Sequence, residues 1–319
     1  MDAGRRSPIA LFAYNRPRHL SACIESLRKS AEAAQTVLYC FLDGPRTEEE
    51  VPRVRQVAEV AHSIEGFRDV RIARRSFNRG LSGSIIEGVS QVLAENESVI
   101  VVEDDLVVSG GFLRYMNQAI ELYRAFPPVF SISAYNYPAR LFRLPADYPY
   151  DAFFVPRHMC WGWGTWRDRW ERADWQVRDY DSVSSNESWK RAFREAGVDL
   201  PGMLEANVRG ELDSWAIRWT HTHFIHHAVC LVPVESLVNN MGADGSGVHM
   251  RSSTRYLHPT LNSGTDLRLP PIVYVDTQIA RMYKIAERRS FLARAGTRVS
   301  RMIHSAAVPA QSIARTSNG

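Results

Sequence analysis

The chain predicts an α/β fold of the doubly wound kind: a mostly parallel sheet with helices on both faces, joined to a less regular, aromatic-rich half. Three observations predict it. Strand-like and helix-like patterns alternate through the first 135 residues, as β-α-β units with right-handed crossovers require. The run Val99-Ile100-Val101-Val102 is branched and apolar without alternation, which marks a central strand covered on both faces. All eight tryptophans fall between Trp161 and Trp219, where the periodicity has faded.

Each element has its own warrant. Strands are expected at Ile9 to Tyr14, Val37 to Leu42, Val70 to Ala73, Val99 to Val102 and Val129 to Ser133. After the first, Leu20, Cys23, Ile24 and Leu27 recur at helical spacing, and Pro17 suits the opening turn. After the third, Ile85, Ile86, Val89, Val92 and Leu93 recur in the same way, with Ser84 and Glu87 placed as a capping box. Further on, a helix is expected from Glu211 to His227, a strand at Val229 to Pro233, and a glycine-rich loop from Gly242 to Gly247. The organisation expected is a half over residues 1–135, a second over 136–275, a basic amphipathic helix over 276–304 and a disordered tail over 305–319.

Composition bounds the function. A chain of 319 residues with 45% apolar content can bury a substantial core. The four cysteines lack Cys-x-x-Cys spacing and the start of the chain lacks a signal-peptide pattern, which points to a reducing, cytoplasmic setting. The net charge of +4 is unevenly placed: from Thr277 onward eight Lys and Arg stand against Glu287 alone, leaving the body slightly acidic. That distribution does not suit a nucleic-acid reader. It does suit a basic segment lying on an anionic membrane surface at the inner face of a membrane, with a solvated helix packed on the domain as the alternative.

The strongest chemical signal is Glu103-Asp104-Asp105, directly behind the Val99 to Val102 run. Adjacent ionised carboxylates cannot stay unpaired in a core, so they must emerge at the carboxyl end of the strand, where open α/β sheets bind ligands. Hard oxygen ligands there suit Mn²⁺ or Mg²⁺ bridging to a diphosphate. A metal-dependent transferase acting on a nucleoside diphosphate compound is therefore expected, with Asp105 as metal ligand, Asp104 toward the ribose or the metal's waters, and Glu103 toward a sugar.

Other candidates gather around this one. Arg16, at the end of the first strand, is placed to meet a phosphate; Asp43 ends the second strand and is placed to accept from a nucleobase or ribose. The stretch Asn78-Arg79-Gly80 precedes a helix and offers backbone amides to an anion. A solvated turn arginine and a simple turn aspartate are the alternatives for Arg16 and Asp43. Residues 239–249 read as a lid, with Ser246 as a donor contact and His249 either completing the metal shell or lying free at the surface. Trp161 and Trp163, separated by Gly162, are candidate platforms for an acceptor sugar. His221, His223, His226 and His227 invite a zinc reading, but their spacing fits a partly buried helix end better.

The segments VIVVEDDLVVSGGFLRYMNQAIELY and IALFAYNRPRHLSACIESL resemble the metal-binding core of the α-mannoside β-1,2-N-acetylglucosaminyltransferase I family, inverting glycosyltransferases with the GT-A fold. The likeness covers roughly residues 7 to 135. It implies a nucleotide-sugar donor such as a UDP-sugar, Mn²⁺ held by Asp105, a sugar contact at Glu103 and a nucleobase contact at Asp43. Leu212-Asp213-Ser214-Trp215 is similar to that family's Trp-Asp-Asp-Trp segment, but the position of its general base falls here on Ser214. Serine is a poor proton acceptor at neutral pH, which leaves Asp213 as the better candidate base, with a helix N-terminal acid as its other reading. Two other functions remain open: a sugar nucleotidyltransferase, and a non-catalytic carbohydrate-binding scaffold.

Overall fold

The computed structural model describes residues 6–244 and 254–287. Ten strands are present among them: β1 (Ile9–Ala13), β2 (Val37–Leu42), β3 (Asp69–Arg74), β4 (Ser98–Glu103), β5 (Leu106–Val108), β6 (Val129–Ser133), β7 (Ala152–Val155), β8 (Trp163–Trp166), β9 (Val229–Pro233) and β10 (Val238–Asn240). The helices are α1 (Pro17–Arg28), α2 (Val51–His62), α3 (Gly80–Glu95), α4 (Phe112–Tyr123), α5 (Arg167–Trp170), α6 (Tyr180–Val183), α7 (Glu187–Ala196), α8 (Leu200–Val208), α9 (Trp215–Ile225) and α10 (277–287).

Eight strands form one sheet in the order β3-β2-β1-β4-β8-β6-β9-β7, and β10 pairs with β5 in a separate ribbon. β3, β2, β1 and β4 run parallel; β8 enters antiparallel between β4 and β6, and β7 closes the far edge antiparallel to β9. The sheet is mostly parallel, as expected, and it crosses residue 135: its second half is built from β7, β8 and β9 as well as β6. None of the helices among the described residues is long and apolar enough to cross a membrane.

The unalternating strands are explained by their two faces. Ile9, Leu11, Leu38, Cys40, Ile100 and Val102 join one core with Leu20, Ile24 and Leu27 of α1 and Phe112 and Met116 of α4. Ala10, Phe12, Tyr39, Phe41, Val99 and Val101 join another with Ile85, Val89 and Val92 of α3 and Trp215 and Trp219 of α9. Both faces are covered, so every position selects an apolar residue.

Three local expectations are corrected. α3 starts at Gly80, so Ser84 is buried inside the helix, and Glu87 pairs with Arg75 and Arg79 instead of capping. α9 spans Trp215–Ile225 rather than 211–227, because Asn207 Nδ2 holds the Leu212 carbonyl (2.7 Å) in the preceding loop. Of the lid expected over 239–249, Asn239 and Asn240 lie in β10 and the Met241 N–H donates to the Asp105 carbonyl (2.7 Å), so this end of it is fixed, while residues 245–249 lie outside the described residues.

α9 also carries a buried polar relay. His223 Nδ1 donates to the Trp219 carbonyl (2.9 Å), which leaves Nε2 to accept from Ser131 Oγ (2.8 Å). Ser131 Oγ in turn accepts from His158 Nδ1 (3.1 Å). Both imidazoles are buried, and burial is the main cause that lowers their pKa, His223 to about 4. His223 is thus neutral when folded and takes up a proton on unfolding below its ordinary value of about 6.5. Its contribution to stability is complete above that pH and is lost as pH falls from there toward 4. Denaturant midpoints at pH 7.5 and pH 5 should show wild type ahead of His223→Gln at the higher pH, with the gap narrowing at the lower; a gap independent of pH refutes the assignment.

Candidate active site

The site is built at the carboxyl edge of β1, β2 and β4. Register places Phe12 opposite Glu103, and the Asp104 N–H donates to the Phe12 carbonyl (2.9 Å), so the acids leave the sheet just as β1 turns into α1. Arg16 sits at the start of that helix, where its guanidinium reaches back across the edge. Arg16 Nη2 pairs with Asp104 and with Asp105 Oδ2 (3.0 Å), and the Tyr14 N–H approaches Asp104 Oδ2 (3.4 Å).

The charge of Arg16, expected to meet a phosphate, is here engaged by the neighbouring carboxylates. The reason is electrostatic. Three acids at the rim of a low-dielectric sheet need a cation close by, and Arg16 is the one whose backbone α1 fixes there. Compensation is incomplete. Asp105 Oδ1 and Arg16 Nη1 are both buried without a hydrogen-bond partner among the described residues. Burial, followed by the charges of Asp105 and Asp104, holds the Glu103 carboxyl well above the usual carboxylate range. Burial raises Asp104 as well, against the pull of Arg16.

Asp43, the expected nucleobase contact, is held by backbone amides. Its Oδ1 accepts from the N–H groups of Gly44 (3.0 Å) and Arg79 (2.8 Å), and its Oδ2 from Gly80 N–H (3.1 Å). The anion expected at the start of α3 is thus the protein's own Asp43. Asn78 braces the same turn: Nδ2 donates to the Gly44 carbonyl (2.9 Å), while Oδ1 accepts from Gly80 N–H (3.0 Å) and Arg46 Nε (3.1 Å). Gly80 has φ +74°, and a side chain at Gly44 would overlap the backbone of Phe77, so both turn positions require glycine.

Asp213 lies near this turn. A Cβ built on Gly80 would stand 3.8 Å from Asp213 Oδ2, and Asp213 Oδ1 accepts from Arg218 Nη2 (2.7 Å). Asp213 lies just before the N-cap Ser214 of α9, and its side chain is 64% exposed.

The two tryptophans separate. Trp161 is half-buried, with its ring 4.4 Å from Tyr135 and 6.2 Å from Tyr256. Trp163 is fully buried in β8 and stacks on Trp215 at 5.0 Å. The platform expected at Trp163 is thereby corrected: β8 begins at Trp163 and buries it, whereas Trp161 lies before the strand, across Gly162 with its φ of +63°. Ser246 and His249 lie outside the described residues.

Sequence reasoning missed Tyr14, Arg46 and Glu50. The Tyr14 hydroxyl donates to Glu50, which also accepts from the Arg46 N–H (2.8 Å); burial first, and then Glu50, raise the Tyr14 pKa to about 12. No spacing along the chain signals such a contact, since the partners are 36 residues apart. Among the described residues, no group of three or more His, Cys, Asp or Glu is placed to hold a metal ion. Asp104 and Asp105 still offer what a diphosphate-bridging Mg²⁺ or Mn²⁺ takes from a protein, one or two carboxylates with substrate oxygens and water completing the shell. The orphaned Asp105 Oδ1 fits that role.

A mostly parallel sheet with these acids at its carboxyl edge is the GT-A architecture of a glycosyltransferase. Residues 9–181 match the model described as glycosyl transferase family 2, and the chain belongs to that family. Solved structures similar to it include the mannosyltransferase PcManGT from Pyrobaculum calidifontis in complex with GDP-Man and Mn²⁺, at 12% identity over 70% of each chain with TM-score 0.38. The galactosyltransferase LgtC with donor and acceptor sugar analogues is similar at 11% identity over 68% of this chain and 69% of that one, with TM-score 0.37. Glucosyl-3-phosphoglycerate synthase from Mycobacterium tuberculosis, in complex with Mn²⁺, UDP and phosphoglyceric acid, has 11% identity over 52% of this chain and 57% of its own, with TM-score 0.32. Likeness at this level says nothing about which donor or acceptor this chain uses.

Proposed function

We propose that this glycosyltransferase is metal-dependent and inverting, and that it moves a sugar from a nucleoside diphosphate to a hydroxyl of a glycan or glycolipid. The observation that carries the reading is the Asp105 carboxylate at the end of a buried strand, one oxygen engaged by Arg16 and the other without a hydrogen-bond partner among the described residues. N-acetylglucosamine is the proposed donor sugar on the strength of the resemblance of the triplet and its flanking segments to the N-acetylglucosaminyltransferase I family.

In this reading residues 1–135 grip the donor and residues 136–275 supply the acceptor side and the base. Asp105, with Asp104 beside it, holds the cation, whose chemistry when bound is to offset charge on the departing diphosphate. Glu103 borders the sugar, and Trp161 offers a ring face to the acceptor. Ser246 and His249 are proposed to complete the donor and metal contacts. The acceptor oxygen bonds to the anomeric carbon as the bond to the diphosphate oxygen breaks, and Asp213 takes the hydroxyl proton. A single displacement of this kind inverts the anomeric configuration, by the logic of inverting glycosidases.

A peripheral position at the inner face of an anionic membrane is part of the proposal. α10 buries Ile279, Tyr283 and Ala286, while Ile285 is 52% and the preceding Tyr274 48% exposed, with Arg281 exposed between them. Residues 288–319 add six arginines and no acid. Exposed apolar groups beside cationic ones suit that surface.

Calorimetry with UDP and GDP should show Mn²⁺ raising affinity in the wild type and not in Asp105→Ala; equal affinities with and without metal in both chains would sink the metal bridge. Asp213→Asn should keep donor affinity and lose transfer by about 100-fold or more, while Ser214→Ala stays close to wild type; the opposite pattern moves the base to Ser214. Sedimentation with vesicles should show binding to anionic but not neutral lipid, and loss of it on truncation after residue 287; binding that survives truncation refutes a role for the basic segment.

A further inference from the structure

Asp213 is held by a side chain that the proposed chemistry does not itself use. Arg218, on the first turns of α9, is largely buried (19% exposed) and forks three ways. Nη2 donates to Asp213 Oδ1 (2.7 Å), Nε to Asn207 Oδ1 (3.1 Å) and Nη1 to the Trp175 carbonyl (3.3 Å). Asn207, near the end of α8, uses its amide nitrogen on the Leu212 carbonyl (2.7 Å) and the Ser214 carbonyl (3.4 Å). The residues on both sides of Asp213 are thus fixed by Asn207, and the Asp213 carboxylate itself by Arg218.

We infer that Arg218 is a positioning residue for the glycosyl-transfer step, acting through Asp213. The inference rests on the reading of Asp213 as the base. One carboxylate oxygen is taken by the guanidinium; the other, Oδ2, faces the Gly80 turn at the start of α3 and has no hydrogen-bond partner among the described residues. A base needs this division: an oriented carboxylate with one lone-pair face left open to the incoming hydroxyl. Stability alone does not account for the pair, because an ion pair whose acid is 64% exposed adds little. Arginine rather than lysine is required, since only a planar guanidinium reaches a carboxylate, an amide oxygen and a peptide carbonyl at once.

The test is a double-mutant cycle of Arg218→Met and Asp213→Asn, with Arg218→Lys as a second variant, scored as kcat and donor KM in metal-saturated transfer assays. Arg218→Met is expected to lower kcat about 10- to 100-fold with donor KM within two-fold of wild type, Arg218→Lys to fall between, and Arg218→Met to cost nothing further once Asp213 is Asn. Wild-type kcat in both Arg218 variants, alongside an inactive Asp213→Asn, overturns the positioning role and leaves the base intact. Full multiplication of the two losses also overturns it, because it means that Arg218 acts elsewhere. An active Asp213→Asn removes the base reading and this inference with it. Should Arg218→Met fail to fold, the Lys variant decides: a lowered kcat at unchanged KM supports the role, and an unchanged kcat overturns it.

Discussion

Charge at the end of β4 is the constraint from which the site follows. The strand is buried on both faces, and three carboxylates come directly after its last apolar residue. Leaving one uncompensated carboxylate at such a boundary costs several kcal/mol. The chain meets this with a short-range arrangement: β1 ends opposite Glu103, the next residues turn into α1, and Arg16 returns its guanidinium to Asp104 and Asp105. β5 and β10 then close the far side, so that Gly242 sits where any side chain would run into Asp105 and Arg16. The geometry of the edge is therefore set jointly by segments around residues 12, 103 and 240, far apart in the chain.

The second half of the sheet gives this edge a rigid backing. β8 inserts antiparallel beside β4, and its Trp163 stacks on Trp215 at the start of α9. The Ser131, His158 and His223 relay joins β6, the segment before β8 and α9 without exposing a polar atom to water. α9 is thereby fixed against the same face that α3 covers, and the loop carrying Asp213 is delivered to the Gly80 turn. The aromatic density that looks like a sugar-binding feature in the sequence is mostly the packing that makes this delivery possible.

That distinction explains what the sequence disclosed and what it withheld. The parallel block, the α1 and α3 faces and the acid cluster were legible because each rests on local periodicity or on the cost of burying charge, both of which are written in adjacent residues. Arg16 was legible as a partner for negative charge but not as the partner of Asp104 and Asp105, since which charge it meets depends on the register of β1 with β4. Trp161 and Trp163 were indistinguishable by composition; only the start of β8 separates them. The contacts of Asp43 with Arg79 and Gly80 span 36 and 37 residues, and nothing in either segment announces the other.

Asp43 and the pair Asp104 and Asp105 illustrate two ways of satisfying an acid at a sheet edge, and the difference bears on chemistry. Asp43 is held by three backbone N–H groups, which the turn geometry fixes and which cannot leave without unfolding the start of α3. Such an acid organises the turn at the start of α3. Asp104 and Asp105 are instead met by the end of a flexible arginine side chain, and one oxygen of Asp105 has no hydrogen-bond partner among the described residues. Side-chain compensation can be exchanged for another cation by rotating a few bonds, whereas amide compensation cannot. The acids that β2 and β4 bring to this edge are therefore compensated in two ways, Asp43 by amides that the turn fixes and Asp104 and Asp105 by a side chain that can move.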